Sequence, residues 1–112
     1  MSHDLLEKIL NNKIESDIDT IINFFDNYKK GDFIYPSVLK RKLKIDEKEI
    51  YKILSIMEKS ELLKINYEFF CYNCNKSSNL YECYSELPEE YICENCEDCL
   101  TLDNVRVVYK VI

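Results

Sequence analysis

Capping residues ahead of apolar positions spaced three and four apart, a β-prone run behind them, and six cysteines confined to residues 71–99 predict an α+β chain. The signals come in the order helix, short strand, helix, helix, hairpin, ribbon, which predicts a winged helix-turn-helix followed by a four-cysteine zinc-ribbon β-sheet. Residues 1–15 then form an N-terminal helical extension, 16–70 the winged helix-turn-helix, and 71–112 the zinc ribbon with a C-terminal strand.

Residues 4–12 place Leu5, Leu6, Ile9 and Leu10 on one helical face, which packs either on the rest of the chain or on a second copy as a homodimer. Next, Ser16 is placed as an N-cap with Asp19 three residues on, and Ile18, Ile21, Ile22 and Phe25 repeat at i, i+3, i+4 and i+7. Gly31, the only glycine, suits the left-handed residue that ends a helix, so the spacing predicts a helix over 17–28. Residues 33–35 are a short extended piece. Pro36 fits the first turn of a second helix, through about Leu43, because its missing N–H would have no partner there. Asp46 caps a third helix with Glu49 three residues later, and Ile45 with Ile50 forms a hydrophobic staple. Ile50, Ile53, Leu54 and Met57 are its inward stripe, which ends near Lys59. Residues 62–66 and 68–72 are two β-prone runs around Asn66 and Tyr67, and they predict a hairpin in the place of a wing.

Cys71 and Cys74 form one C-x-x-C pair, and Cys93, Cys96 and Cys99 form two overlapping ones. A four-cysteine site wants roughly 15–20 residues between its pairs. Eighteen residues separate Cys74 from Cys93 and twenty-one separate it from Cys96, so the spacing favours Cys71, Cys74, Cys93 and Cys96, with Cys99 as the rival ligand. Four thiolates close the shell of one structural Zn2+ per chain and leave no position for a reacting water. Iron held by four thiolates has the same geometry. Asn75 follows the first pair where a left-handed residue is useful, and Glu97 is the poorer fit after the second. Residues 80–84 are expected to pair with 90–92 across a turn at Pro88, which puts Cys83 mid-strand; Cys83 and Cys99 read as small buried hydrophobes. After a turn at Asp103 and Asn104, residues 105–112 alternate as a half-buried strand that completes the ribbon or returns to the helical part.

The formal net charge of −6 is unevenly spread: −4 over 1–28, +4 over 29–59, 0 over 60–66 and −6 over 67–112. With its apolar stripe inward, the third helix turns Lys48, Lys52, Ser55 and Lys59 outward with Tyr51 beside them. Lys40, Arg41, Lys42 and Lys44 add charge around the second helix, where phosphates would run if the third entered a major groove. Those nine residues are the candidate nucleic-acid-binding set. The third helix has no Arg, Asn or Gln for bidentate base contacts, so DNA binding is expected to be weakly sequence-specific. A protein partner is the alternative, because the ribbon is acidic and Tyr67, Phe69, Phe70, Tyr72, Tyr81, Tyr84 and Tyr91 gather around its start.

No apolar run approaches the ~18 residues of a membrane span, and the N-terminal stretch lacks the pattern of a secretory signal. A cytoplasmic location is therefore expected, where C-x-x-C pairs read as metal ligands rather than disulfides. His3 is the only histidine, and neither a Gly-rich phosphate loop nor a Ser/His/Asp set is present, so the chain does not read as an enzyme.

A winged helix running into a four-cysteine ribbon, carried here by the helix pattern and by Cys71, Cys74, Cys93 and Cys96 over residues 16–112, resembles archaeal transcription factor E and the alpha subunit of its eukaryotic relative. The resemblance is one of architecture, with no long helix between the two parts of this chain. It implies a non-enzymatic, transcription-regulator-like protein that binds DNA and a polymerase.

Overall fold

The computed structural model describes residues 3–112, with Ser78 by its backbone alone. The structure is mixed α+β. In order, its elements are α1 (His3–Leu10), α2 (Ile18–Phe25), β1 (Phe33–Ile34), α3 (Pro36–Leu43), α4 (Glu47–Lys59), β2 (Leu63–Cys71) and β3 (Lys76–Tyr81), then a 3-10 turn at Tyr84–Glu86, β4 (Glu90–Ile92), β5 (Cys99–Thr101), a second 3-10 turn at Leu102–Asn104, and β6 (Val105–Val111). The chain divides into two compact units, one running to Lys64 and including Tyr109–Ile112, the other Ile65–Val108. The boundary anticipated at 70/71 falls inside β2. No helix among the described residues is long and apolar enough to cross a membrane.

The helical unit is built on the apolar spacing read from the sequence. Ile21, Ile22 and Phe25 of α2, Leu39 of α3, and Ile50, Ile53, Leu54 and Met57 of α4 are all buried. α1 packs on α2 and α4 through Leu6 and Leu10, while Leu5 stays 39% exposed and Ile9 half-buried, so its inward face is narrower than anticipated. Pro36 opens α3 as expected.

The caps differ in detail. Asp17, not Ser16, is the N-cap of α2: its Oδ1 accepts from the Asp19 N–H at 3.3 Å and its Oδ2 from the Thr20 hydroxyl at 3.0 Å. The helix stops at Phe25, short of residue 28, and Asn27 Nδ2 donates to the Phe24 carbonyl at 3.2 Å, filling one of the acceptors a helix end leaves open. Gly31 is not that helix's cap. At φ +94° it forms the turn into β1, where its N–H donates to the Val111 carbonyl at 2.8 Å. Asp46 occupies the N-cap of α4 in extended backbone without a side-chain bond. The Glu49 carboxylate, expected to complete that cap, instead accepts from the Glu15 N–H at 3.3 Å.

The hairpin anticipated at Asn66 and Tyr67 does not form. β2 runs unbroken through both residues, and Asn66 is buried. A tight two-residue hairpin turn needs positive φ at its centre, which tyrosine resists. The chain turns instead at 72–75, where Asn75 takes φ +58°, and β3 returns antiparallel to β2 with Cys71 opposite Lys76 and Phe70 opposite Ser77. The sheet order is β1-β6-β2-β3, with β1 antiparallel to β6. The second expected hairpin is also corrected. β4 pairs with β5, not with 80–84, and Cys83 sits exposed at the start of a 3-10 turn, not buried mid-strand.

In the second unit Phe69, Cys71, Cys93 and Leu100 form a buried apolar cluster among the described residues, flanked by half-buried Tyr81, Tyr91 and Val105. The Phe69 ring stacks on Tyr91 at 5.1 Å and meets Tyr81 edge-on at 6.0 Å.

Phe25→Ala should destabilise the helical unit by about 3–5 kcal/mol, against less than about 1 kcal/mol for the half-exposed Leu5→Ala; denaturant unfolding of the two variants measures the difference.

Candidate metal centre

Two five-residue turns carry the site: Cys71, Tyr72, Asn73, Cys74 and Asn75 in one, and Cys93, Glu94, Asn95, Cys96 and Glu97 in the other. They close in the same way. The Asn75 N–H donates to the Cys71 carbonyl at 2.7 Å and the Glu97 N–H to the Cys93 carbonyl at 2.8 Å. Both closing residues are left-handed, Asn75 at φ +58° and Glu97 at +63°. Glu97 thus adopts the conformation despite its Cβ, at a cost of roughly 1–2 kcal/mol. In each turn the first sulfur receives two backbone donors. Cys74 and Asn73 supply N–H groups to Cys71 Sγ, and Cys96 and Asn95 supply them to Cys93 Sγ.

The four sulfurs of Cys71, Cys74, Cys93 and Cys96 lie within 4.8 Å of one another. The contacts between turns are Cys71 to Cys96 at 3.5 Å and Cys74 to Cys93 at 3.6 Å. A disulfide would need about 2.05 Å. Sulfurs placed about 2.3 Å from a central ion at tetrahedral angles stand ~3.8 Å apart, so the quartet has the spacing of a ligand shell and could hold a metal ion. Cys71 and Cys93 are buried, Cys74 and Cys96 half-buried. Asn73 Nδ2 adds a side-chain donor to Cys96 Sγ at 3.6 Å, a contact that spacing alone does not signal.

Cys99 is outside the quartet. It pairs with Ile92 across β4 and β5, and both side chains are exposed, whereas the next pair, Tyr91 and Leu100, turns to the ribbon core. Alternation therefore points Cys99 away from the other sulfurs. Cys83 is exposed as well, so neither thiol is the buried hydrophobe expected of it.

The thiols differ in acidity. The Cys96 and Asn95 N–H groups lower Cys93 from 9.0 to about 7 against the effect of burial. Cys71 is pushed up to about 12: the Cys74 N–H favours its thiolate, but burial and the neighbouring Cys96 and Cys74 thiols outweigh that donor. Near neutral pH and without metal, Cys71 therefore keeps its proton while Cys93 is close to its midpoint.

The nine candidate nucleic-acid residues are all exposed. Lys40, Arg41 and Lys42 lie in the last turns of α3, Lys44 in left-handed backbone just after it, and Lys48, Tyr51, Lys52, Ser55 and Lys59 along α4. Carboxylates stand among them. Lys40 Nζ is 3.8 Å from Glu47 Oε2, and Lys48 and Lys52 line a hollow with Glu15, Asp46 and Glu49.

Fold and site together define a mixed α+β chain with a four-cysteine cluster able to take a metal ion. No protein family, no curated protein and no solved structure matches the chain.

Elemental analysis should find about one thiophilic ion per chain, lost in Cys96→Ser and retained in Cys83→Ser and Cys99→Ser. Loading should release protons, measured by pH-stat titration, with Cys71 contributing a full one at pH 7. The sign follows from the ligands' need to be thiolates: below its value of about 7 the Cys93 thiol regains its proton, so metal affinity falls as pH falls.

Proposed function

We propose that the chain is a winged helix-turn-helix with a zinc ribbon built into its wing, acting by binding in the manner of a transcription regulator and associating with DNA through α3 and α4. The observation that carries the reading is the exposure of all nine candidate residues on these two helices and the turn after α3. Residues 36–59 hold seven basic against four acidic side chains, while the buried stripe of α4 leaves its cationic side in solvent.

The strand order supports the same architecture. β2 follows α4, and β6 lies between β1 and β2. In a winged helix those two strands are the arms of the wing, so 72–104 would be its enlarged tip. Zn2+ is the ion this reading assigns to the four sulfurs. It suits a closed tetrahedral thiolate shell and would brace the ribbon without supplying reaction chemistry. The acidic neighbours Glu47 and Glu49 and the lack of Arg, Asn or Gln on α4 argue for backbone attraction rather than base reading.

Duplex DNA binding titrated in salt tests this. Wild type should bind with a Kd of about 1–100 µM near physiological salt, and Lys48→Glu/Lys52→Glu/Lys59→Glu should weaken binding and reduce the salt slope by about 3. Absence of salt-dependent binding, or a triple variant that binds like wild type, overturns the DNA reading.

A further inference from the structure

The unit Ile65–Val108 carries a second surface, made by residues that neither hold the metal nor belong to the basic helices. Along β2, Phe69 and Cys71 turn into the ribbon core while Glu68 and Phe70 turn to the opposite face. Leu80 stands across from Glu68 on that face. Arg106 Nε donates to Glu68 Oε1, a carboxylate only 3% exposed, and the guanidinium carbon lies 4.1 Å from the Phe70 ring centroid. The Phe70 and Tyr72 rings meet edge to face at 5.0 Å. Tyr72 is 66% exposed and Leu80 47%.

A guanidinium normally samples many rotamers, but here a buried carboxylate and an aromatic face fix it in one. The ribbon core is complete without these side chains, yet they form an ordered platform with a tyrosine ring open to solvent. Charge selects what can occupy it. The unit holds nine acidic and two basic side chains, every carboxylate except Glu68 is exposed, and one of the two cations, Arg106, is already matched by Glu68. Such a field repels a nucleic-acid backbone and attracts a cationic chain.

We propose that this platform docks an arginine-bearing segment of a basic partner protein, with an arginine guanidinium lying on the Tyr72 ring and its stem against the apolar face. The negative field of the unit's exposed carboxylates draws the segment in, and the ring distinguishes a flat guanidinium from a compact ammonium. The residues are separate from those of the DNA reading, so the two stand or fall independently.

The test uses the full metal-loaded chain and fluorescence anisotropy with three labelled probes: an alternating arginine–glycine peptide, its lysine–glycine counterpart, and single-stranded oligothymidylate. The arginine peptide should bind more tightly than the lysine peptide. Tyr72→Ala should weaken it about fivefold, and Tyr72→Phe should retain it. Tyr84→Ala, at another exposed tyrosine of the same unit, should leave it unchanged. Metal content measured on each variant establishes that the ribbon is intact, and the α4 triple variant should bind the arginine peptide as wild type does. Equal affinity for both peptides, or no loss in Tyr72→Ala, overturns the proposal. So does oligothymidylate binding that depends on Tyr72, which would assign the platform to bases.

Discussion

The convergence of four sulfurs is the constraint on which the ribbon unit depends. Among the described residues its buried apolar cluster of Phe69, Cys71, Cys93 and Leu100 draws half of its side chains from the cysteines. Burying a side chain such as Phe69 or Leu100 contributes roughly 1.5–3 kcal/mol, whereas a structural zinc site contributes about 10–16 kcal/mol of apparent binding energy. The coordination shell would therefore outweigh the rest of the core. A bound ion would thus offset the local strain of Glu97, whose left-handed φ belongs to the turn that gives Cys93 Sγ its two N–H donors.

The helical unit is held differently. Its interior is aliphatic and aromatic, drawn from all four helices with β1, and its charge is nearly balanced at thirteen basic against twelve acidic side chains. The ribbon unit, at −7, carries more than the whole net charge of −6, and a four-thiolate zinc shell would add two further negative charges there. One chain thus combines a surface whose α3–α4 segment is basic with a strongly acidic one. Surfaces of opposite charge would favour different classes of partner, and salt would weaken both attractions.

Helix positions were legible because apolar spacing and backbone caps are local signals. Pro36 and the stripe of Ile50, Ile53, Leu54 and Met57 needed nothing distant to be read. The sulfur quartet was legible because metal geometry restricts the loop between its pairs. Competition between near-equivalent neighbours was not legible: Asp17 displaced Ser16 as a cap by one residue, and Glu49 took the Glu15 N–H in place of its own helix end. Nor was the length of β2, since its continuation past Asn66 depends on strands that arrive much later in sequence. Cys83 and Cys99 were misread because the burial habit of free cysteine is a tendency of the residue type, whereas the β4–β5 register turns Cys99 outward and Cys83 falls in the exposed entry to a 3-10 turn.

The return of β6 to the helical unit has a bearing on how the chain is made. Tyr109 and Lys110 supply the partners of Ile34 and Phe33, and the Val111 carbonyl accepts the Gly31 N–H. During synthesis these partners leave the ribosome only after the whole ribbon has emerged. β1 must therefore wait for a partner made about 75 residues later, so a strand of the helical unit is completed only once the ribbon has been synthesised.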